Sequence, residues 1–384
     1  MNYLQYEEGW LERAGAIWTA REIAQQPTTL VRTRAILDSR AAEIAAFLAP
    51  LLARRDLRII LTGAGSSAFI GESLAPVLMR HLHRRVEALP TTDLLSGPAQ
   101  YFQADVPTLL VSFGRSGSSP ESVAVVALAD RLLSECHQLA FTCNEAGALY
   151  QYCRGRRNAL AVLLSPETHD QSFAMTSSFT GMMLAAWLAF CGPEAAASSV
   201  AGISQSVQQV LDQHDAGFKR LAGESYSRVV YLGSNGFKGV AREAALKLLE
   251  MTDGAVVAIA DSPLGFRHGP KTIITPETLI FVLLSSDAYT RRYDLDLLQE
   301  LRADGRAGRA IAITTSVADA ATQGDCFQVA ATGAAGDAGQ YFPYMVCGQL
   351  YAFHRSVILG NSPDQPSRSG TVSRVVRGVT IHPF

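Results

Sequence analysis

The sequence predicts an α/β protein of two tandem domains, each a mainly parallel five-stranded sheet flanked by helices in a flavodoxin-like three-layer αβα arrangement. Three observations lead there. Short runs rich in Ile, Leu and Val, such as Arg58-Ile59-Ile60-Leu61-Thr62 and Thr108-Leu109-Leu110-Val111-Ser112, alternate with helical patterns, which implies parallel βαβ units. The pattern then restarts: Arg228–Gly236 mirrors Arg58–Ser66 at an offset of 170, and Leu279–Leu283 echoes Thr108–Ser112 at 171, the mark of a duplicated domain. Finally, 384 residues with 48% apolar and 18% charged content suit compact domains rather than a disordered or fibrous chain.

Taken in order, residues 7–26 and 28–53 carry helical periodicity broken at Pro27, so 1–53 reads as an N-terminal helical segment. Strands are expected near 58–62, 86–89, 108–113, 139–142 and 160–164, inside a first domain over 54–200. The apolar run Gly181 to Cys191 is too short to span a bilayer and reads as a core helix. Serine-rich residues near 193–215 read as a linker, a second domain covers 213–361, and 362–384 forms a C-terminal tail. The start lacks a basic n-region and an apolar h-region, and the six cysteines show no CxxC spacing. A cytoplasmic protein with reduced, interior cysteines is the expectation. The net charge of −2 argues against a nucleic-acid partner, which calls for a basic face. No histidine spacing argues for a metal, and no membrane partner is expected.

Two turns follow strands in the first half. Gly63-Ala64-Gly65-Ser66-Ser67 succeeds the first, and Gly114-Arg115-Ser116-Gly117-Ser118-Ser119 the other, each opening a helical pattern. Such turns aim backbone N–H groups and hydroxyls at one small anion. Gly63–Ala68 also fits the G-x-G-x-x-A dinucleotide fingerprint, with Glu87 near the ribose-binding spacing, so a nucleotide oxidoreductase competes. That reading leaves the second turn unexplained. A phosphomonoester has three acceptor oxygens that use the hydroxyls of Ser66, Ser67, Ser116, Ser118 and Ser119, whereas a pyrophosphate needs mainly glycine backbone. The bland alternative makes these serines helix N-caps, as Ser119 before Pro120 could be. At the matching place the second half has Ser285-Ser286-Asp287-Ala288-Tyr289, which lacks glycine and adds a carboxylate that repels phosphate.

The second half offers other groups. Glu243, Lys247 and Glu250 fall at i, i+4 and i+7 on one helical face, and spacing alone favours a solvated ion-pair face. The helix opens at the carboxyl edge of its sheet, where α/β ligands bind. In Pro263–Pro270, His268 sits on an exposed turn where proton transfer near neutrality is available to it.

Together these residues resemble proteins with two sugar isomerase (SIS) domains. The resemblance spans Glu22–Pro27, Gly65-Ser66-Ser67, Arg115–Ser119, Ala174–Thr180, Glu243–Glu250, Arg267–Pro270 and Asp364-Gln365-Pro366. Among stand-alone members the chain is most similar to the galactosamine-6-phosphate deaminase/isomerases, the AgaS or tagatose-6-phosphate ketose/aldose isomerase type. The resemblance implies a sugar-phosphate ligand held by Gly65, Ser66, Ser67, Arg115, Ser116, Ser118, Ser119 and Ser177. It implies that Glu250 moves a proton between C1 and C2, and that His268 assists ring opening from a neighbouring subunit, hence a homodimer or dimer of dimers. No cofactor is implied. Where the related synthase has a C-terminal lysine, Arg377 stands here, and an arginine is too basic to form an imine readily. Three rivals stay open: the nucleotide oxidoreductase, a non-catalytic phosphosugar-sensing module, and a deglycase of phosphorylated fructosamines. The C4 epimers are distinguished by the resemblance alone.

Overall fold

A computed structural model describes residues 1–315, 319, 321, 323–376 and 378–384. Arg377 lies outside the described residues. Four helices open the chain: α1 (Glu8–Ala14), α2 (Ile17–Ala24), α3 (Gln26–Ser39) and α4 (Ala41–Leu52). Pro27 lies in the first turn of α3, where its missing N–H costs nothing. Strands β1 (Arg58–Thr62), β2 (Val86–Ala88), β3 (Thr108–Gly114), β4 (Cys136–Thr142) and β5 (Ala159–Leu163) form the first sheet. Helix α5 (Ser66–Leu82) links β1 to β2, α6 (Pro120–Leu132) links β3 to β4, and α7 (Ser177–Cys191) follows β5. Helices α8 (Pro193–Gln213) and α9 (Asp215–Ala222) precede the second sheet. Its strands are β6 (Arg228–Gly233), β7 (Val257–Asp261), β8 (Thr278–Leu283), β9 (Arg309–Thr314) and β10 (Cys326–Gln328), joined in part by α10 (Gly236–Met251) and α11 (Ala288–Asp304), with α12 (Gly336–Ile358) last.

Both sheets are parallel throughout and share one topology. The first runs β2-β1-β3-β4-β5 and the second β7-β6-β8-β9-β10. Arg58 pairs with Thr108 and Arg228 with Thr278, so the copies match at an offset of 170 in both strands. The offset of 171 expected for the second strand is corrected by one residue. Strands buried on both faces read as continuous apolar runs without alternation, so register is not written in them.

The chain falls into two compact units. One holds Met1–Pro27, Gln171–Thr176 and Ser198–Thr371; the other holds Thr28–Asp170, Ser177–Ala197 and Val372–Phe384. The N-terminal helices are therefore not a segment of their own, since α1 and α2 belong with the second sheet and α4 with the first. The linker expected near 193–215 is helical: α8 has 21 residues, and its Val200, Ile203, Val207 and Val210 are buried at helical spacing. In the unit of the first sheet, Ile60 and Leu110 pack with Val125, Ala129 and Leu149, each such large apolar side chain contributing about 1.5–3 kcal/mol of burial. The run Gly181 to Cys191 lies in α7, whose Phe179, Met182 and Met183 are wholly buried. Among the described residues no helix is long and apolar enough to cross a membrane.

All six cysteines are unbonded, and burial pushes the thiols of Cys136 and Cys143 up to about 12, where a reactive thiolate is scarce.

Candidate functional site

The two serine turns leave adjacent strands. Thr62 of β1 pairs with Ser112 of β3, so both turns emerge at the carboxyl edge of the first sheet, about 4.8 Å apart in strand spacing. Gly63 is held close to the helix it precedes: a Cβ there would sit 2.5 Å from the Ser67 Cβ. Gly65 has φ 56 and ψ −126, with no atom within 4 Å of a Cβ built on it. The first glycine permits close packing, and the second turns the chain and leaves its outer side open to a ligand. Ser66 and Ser67 form the first turn of α5, and the positive end of that helix points out of the edge.

The second turn is knit from inside. Asn144 Nδ2 donates to the Ser116 carbonyl at 2.9 Å, the Ser118 N–H donates to Ser116 Oγ at 3.3 Å, and Ala148 N–H donates to Ser118 Oγ at 3.1 Å. Gly117 has φ 62 and lies close to Thr142 Oγ1. Ser119 occupies the N-cap position of α6 but caps nothing with its hydroxyl, which donates to Ser122 Oγ at 2.7 Å. Arg115 is buried and donates to the Arg374 carbonyl at 2.8 Å, while Arg374 donates to the Asp170 carbonyl. Two cations thus flank the turn. Burial first, then Arg374 and Arg115, hold the neighbouring His169 below its usual pKa.

Ser177 departs from expectation. It is wholly buried, and its hydroxyl donates to Asp170 at 2.5 Å, beside the Ser178 N–H (2.9 Å) and hydroxyl (2.5 Å) on the same carboxylate. This constellation anchors the start of α7 at the site rather than facing open space. Glu87 is likewise committed, to Arg58 at 2.5 Å and Arg85 at 3.0 Å, which removes the ribose partner that the dinucleotide reading needs.

In the unit of the second sheet the matching turn is filled. Asn235 has φ 52 and ψ −125, almost the torsions of Gly65. Asp337 accepts from Ser285 Oγ at 2.5 Å and from the N–H and hydroxyl of Ser286, both at 2.6 Å. Asp287 caps α11, and Asp294 accepts from Ser234 Oγ and Ser285 N–H.

The charged face of α10 is not solvated. Glu243 and Lys247 are 0% and 1% exposed, whereas the apolar Leu249 is 41% exposed. Lys247 Nζ donates to Glu250 and lies 3.5 Å from Glu243 Oε1. Gly348 of α12 permits close packing against α10, since a Cβ there would come 2.8 Å from the Ala244 Cβ. Spacing marks Lys247 only as part of a charged face; the structure makes it the direct partner of Glu250. Gly236 opens α10 at the carboxyl edge, but Glu250 is at the far end, near the amino edge. His268 lies exposed in the crossover from β7 to β8, just after a turn fixed by Ser262 Oγ accepting from Gly265 N–H at 3.0 Å. Its neighbour Arg267 donates to Glu300 of α11 at 3.0 and 2.7 Å. Two further motif acids hold structure. Asp364 accepts from the Thr19 N–H at 2.8 Å and hydroxyl at 2.7 Å, and Glu22 from the Ser172 N–H at 3.2 Å. Nothing in the sequence singled out Asp170 or Arg374; their partners lie 7 and 259 residues away. Among the described residues no group of three or more His, Cys, Asp or Glu could hold a metal ion.

The family model described as SIS domain matches residues 51–191, the region of the first sheet and its serine turns. The D-galactosamine-6-phosphate deaminase AgaS of Escherichia coli is 48% identical over 97% of this chain and 97% of its own length. The chain belongs to the AgaS family. A second member, from Shewanella sp. (strain ANA-3), is 42% identical over 97% of this chain and 94% of its own length. Among solved structures, the tagatose-6-phosphate ketose/aldose isomerase from Escherichia coli superposes with a TM-score of 0.89 at 43% identity, covering 96% of this chain and 97% of that one. The fold is that of tandem SIS domains, as the resemblance implied.

Proposed function

We propose that this AgaS-family protein converts galactosamine 6-phosphate to tagatose 6-phosphate and ammonia. The observation that carries the reading is 48% identity, end to end, with a relative named for deamination of that amino sugar phosphate. The open face of Gly65 beside Ser66, Ser67, Ser116 and the cation Arg115 supplies a phosphate cradle consistent with it. A phosphate fixed there sets the distance to C1 and C2.

The chemistry follows from the substrate. His268 protonates the ring oxygen, C1–O5 breaks, and the aldehyde forms. Glu250 takes the C2 proton, giving an enolamine, and returns a proton to C1. The product is a C2 imine, and water adds there to expel ammonia and leave the ketone. No electrons leave the substrate, so the reaction balances without a redox cofactor. Lys247 keeps Glu250 oriented. The resemblance to SIS enzymes implies that His268 acts from a neighbouring subunit, which favours a homodimer or dimer of dimers. A cytoplasmic setting suits such a metabolic enzyme.

The deciding experiment measures ammonia release from galactosamine, glucosamine and fructosamine 6-phosphates. Release from the galacto substrate well above the other two is expected. Preference for the fructosamine compound would replace this reading with the deglycase, and silence on all three would leave a phosphosugar-sensing module.

A further inference from the structure

We propose that the amino edge of the first sheet carries a second anion site, shaped for a phosphorylated small metabolite and distinct from the serine turns. Helices α4 and α5 both end there, and the basic runs that follow them, Arg54-Arg55 and His83-Arg84-Arg85, meet around the start of β1. Between them lies a cleft of about 600 Å³ lined by Arg55, Arg58, Met79, His83, Arg84 and Arg85, with Asp56 at its side. That volume falls within the roughly 300–1,000 Å³ typical of small-molecule pockets.

The charges in the cleft are unevenly matched. Glu87 serves both Arg58 and Arg85, at 2.5 and 3.0 Å. Burial pushes the Glu87 carboxyl up, yet Arg58 and Arg85 together hold it below its usual range. Both carboxylate oxygens of Asp56 are taken by Arg54, at 3.2 and 3.0 Å. Arg84 donates only to the carbonyls of His83 and Leu52, each at 3.3 Å, and its buried Nε has no partner. Arg55 is exposed and makes no hydrogen bond or ion pair among the described residues. Two guanidinium groups therefore reach a concave surface without a carboxylate, on a chain whose net charge is −2.

Compensation of helix dipoles accounts for a cation at each helix end. It does not account for two basic runs converging on one cavity. Guanidinium forks match phosphate oxygens in a bidentate way, and Met79 (46% exposed) adds an apolar wall for a ring. The cleft is a local pocket rather than a basic stripe, which fits a small metabolite better than a nucleic acid. It also stands at the far end of the two elements that bound the Gly63–Ser67 turn, since β1 runs from Arg58 to that turn and α5 runs back from Ser66 towards His83.

Equilibrium dialysis of the full chain against labelled inorganic phosphate, then pyrophosphate, tests the site. Wild type should bind two phosphates per chain. Arg55→Ala/Arg84→Ala should lose one, and Arg55→Lys/Arg84→Lys should keep it. Ser66→Ala/Ser116→Ala should lose the other, so failure of the serine turns and failure of the cleft show up in different variants. Arg55→Ala alone changes an exposed residue and should weaken the second site several-fold without disturbing the fold. A single phosphate per wild-type chain that the folded Arg55→Ala/Arg84→Ala variant keeps, or two still bound by that variant, would overturn the assignment.

Discussion

Replacing Lys247 by Met isolates what the buried charge face of α10 contributes. Lys247 is 1% exposed and stands between Glu243, 0% exposed, and Glu250, which keeps partial access to water. Met fills nearly the same volume, so the change removes a charge more than it opens a cavity. Glu250 can turn to solvent; Glu243 cannot. Breaking a buried pair by deleting one partner costs about 3–5 kcal/mol. For a unit of roughly 200 residues, about 2–4 °C per kcal/mol gives a drop of about 6–20 °C in Tm. Thermal unfolding followed by circular dichroism reads this directly. Glu243→Gln/Lys247→Met should recover most of the loss, since the amide needs no counter-ion. A Lys247→Met protein that melts with wild type would refute the claim that Lys247 and Glu243 form a stabilising buried pair.

Three other outcomes are expected. Gly65→Ala should cost about 1–3 kcal/mol in chemical unfolding, because φ 56 is hard for a residue with a Cβ, while Gly65→Asn should cost less, since Asn235 holds the same torsions in the second copy. His169 has its pKa lowered from 6.5, by burial first and then by Arg374 and Arg115, so its contribution to stability is full above pH 6.5 and is lost as pH falls towards the lower folded value. His169→Gln should flatten that part of the pH–stability curve, and an unchanged curve would remove the residue from that role. Glu250→Gln should lower kcat by orders of magnitude while calorimetry still detects phosphosugar binding; unchanged turnover would take Glu250 out of proton transfer.

Much of the fold was legible because strand runs and turn chemistry are local. β1 and β3 each announce themselves by an apolar run closed by glycine and serine. What composition hid was long-range. Serines near 193–215 looked like a linker, although Val200, Ile203, Val207 and Val210 already spelled an amphipathic helix, and polar content outweighed periodicity in that reading. On α10, spacing placed Glu243, Lys247 and Glu250 on one face but not on the buried one; Leu249 outside and Lys247 inside are a tertiary decision. The same holds for Ser177, whose carboxylate partner Asp170 no local rule picks out.

The duplication accounts for why only the first copy offers the open turn that we propose as a phosphate cradle. Both copies keep the turn geometry, down to matching torsions at Gly65 and Asn235. In the first copy Gly117 brings no carboxylate to the second turn, and the open side of Gly65 leaves room for an anion. In the second copy the place of Gly117 is taken by Asp287, and Ser285 and Ser286 spend their donors on Asp337. An internal carboxylate tied to the chain has no association entropy to lose, so a free phosphate competes poorly for those donors, and Asp294 beneath adds like-charge repulsion. With its own anion supplied from within, the second copy is released from holding substrate phosphate. Its charged groups on α10 and after β7 are then free to serve proton transfer. The asymmetry that sequence alone suggested at Asp287 thus has a structural basis in Asp337, 50 residues further along the chain.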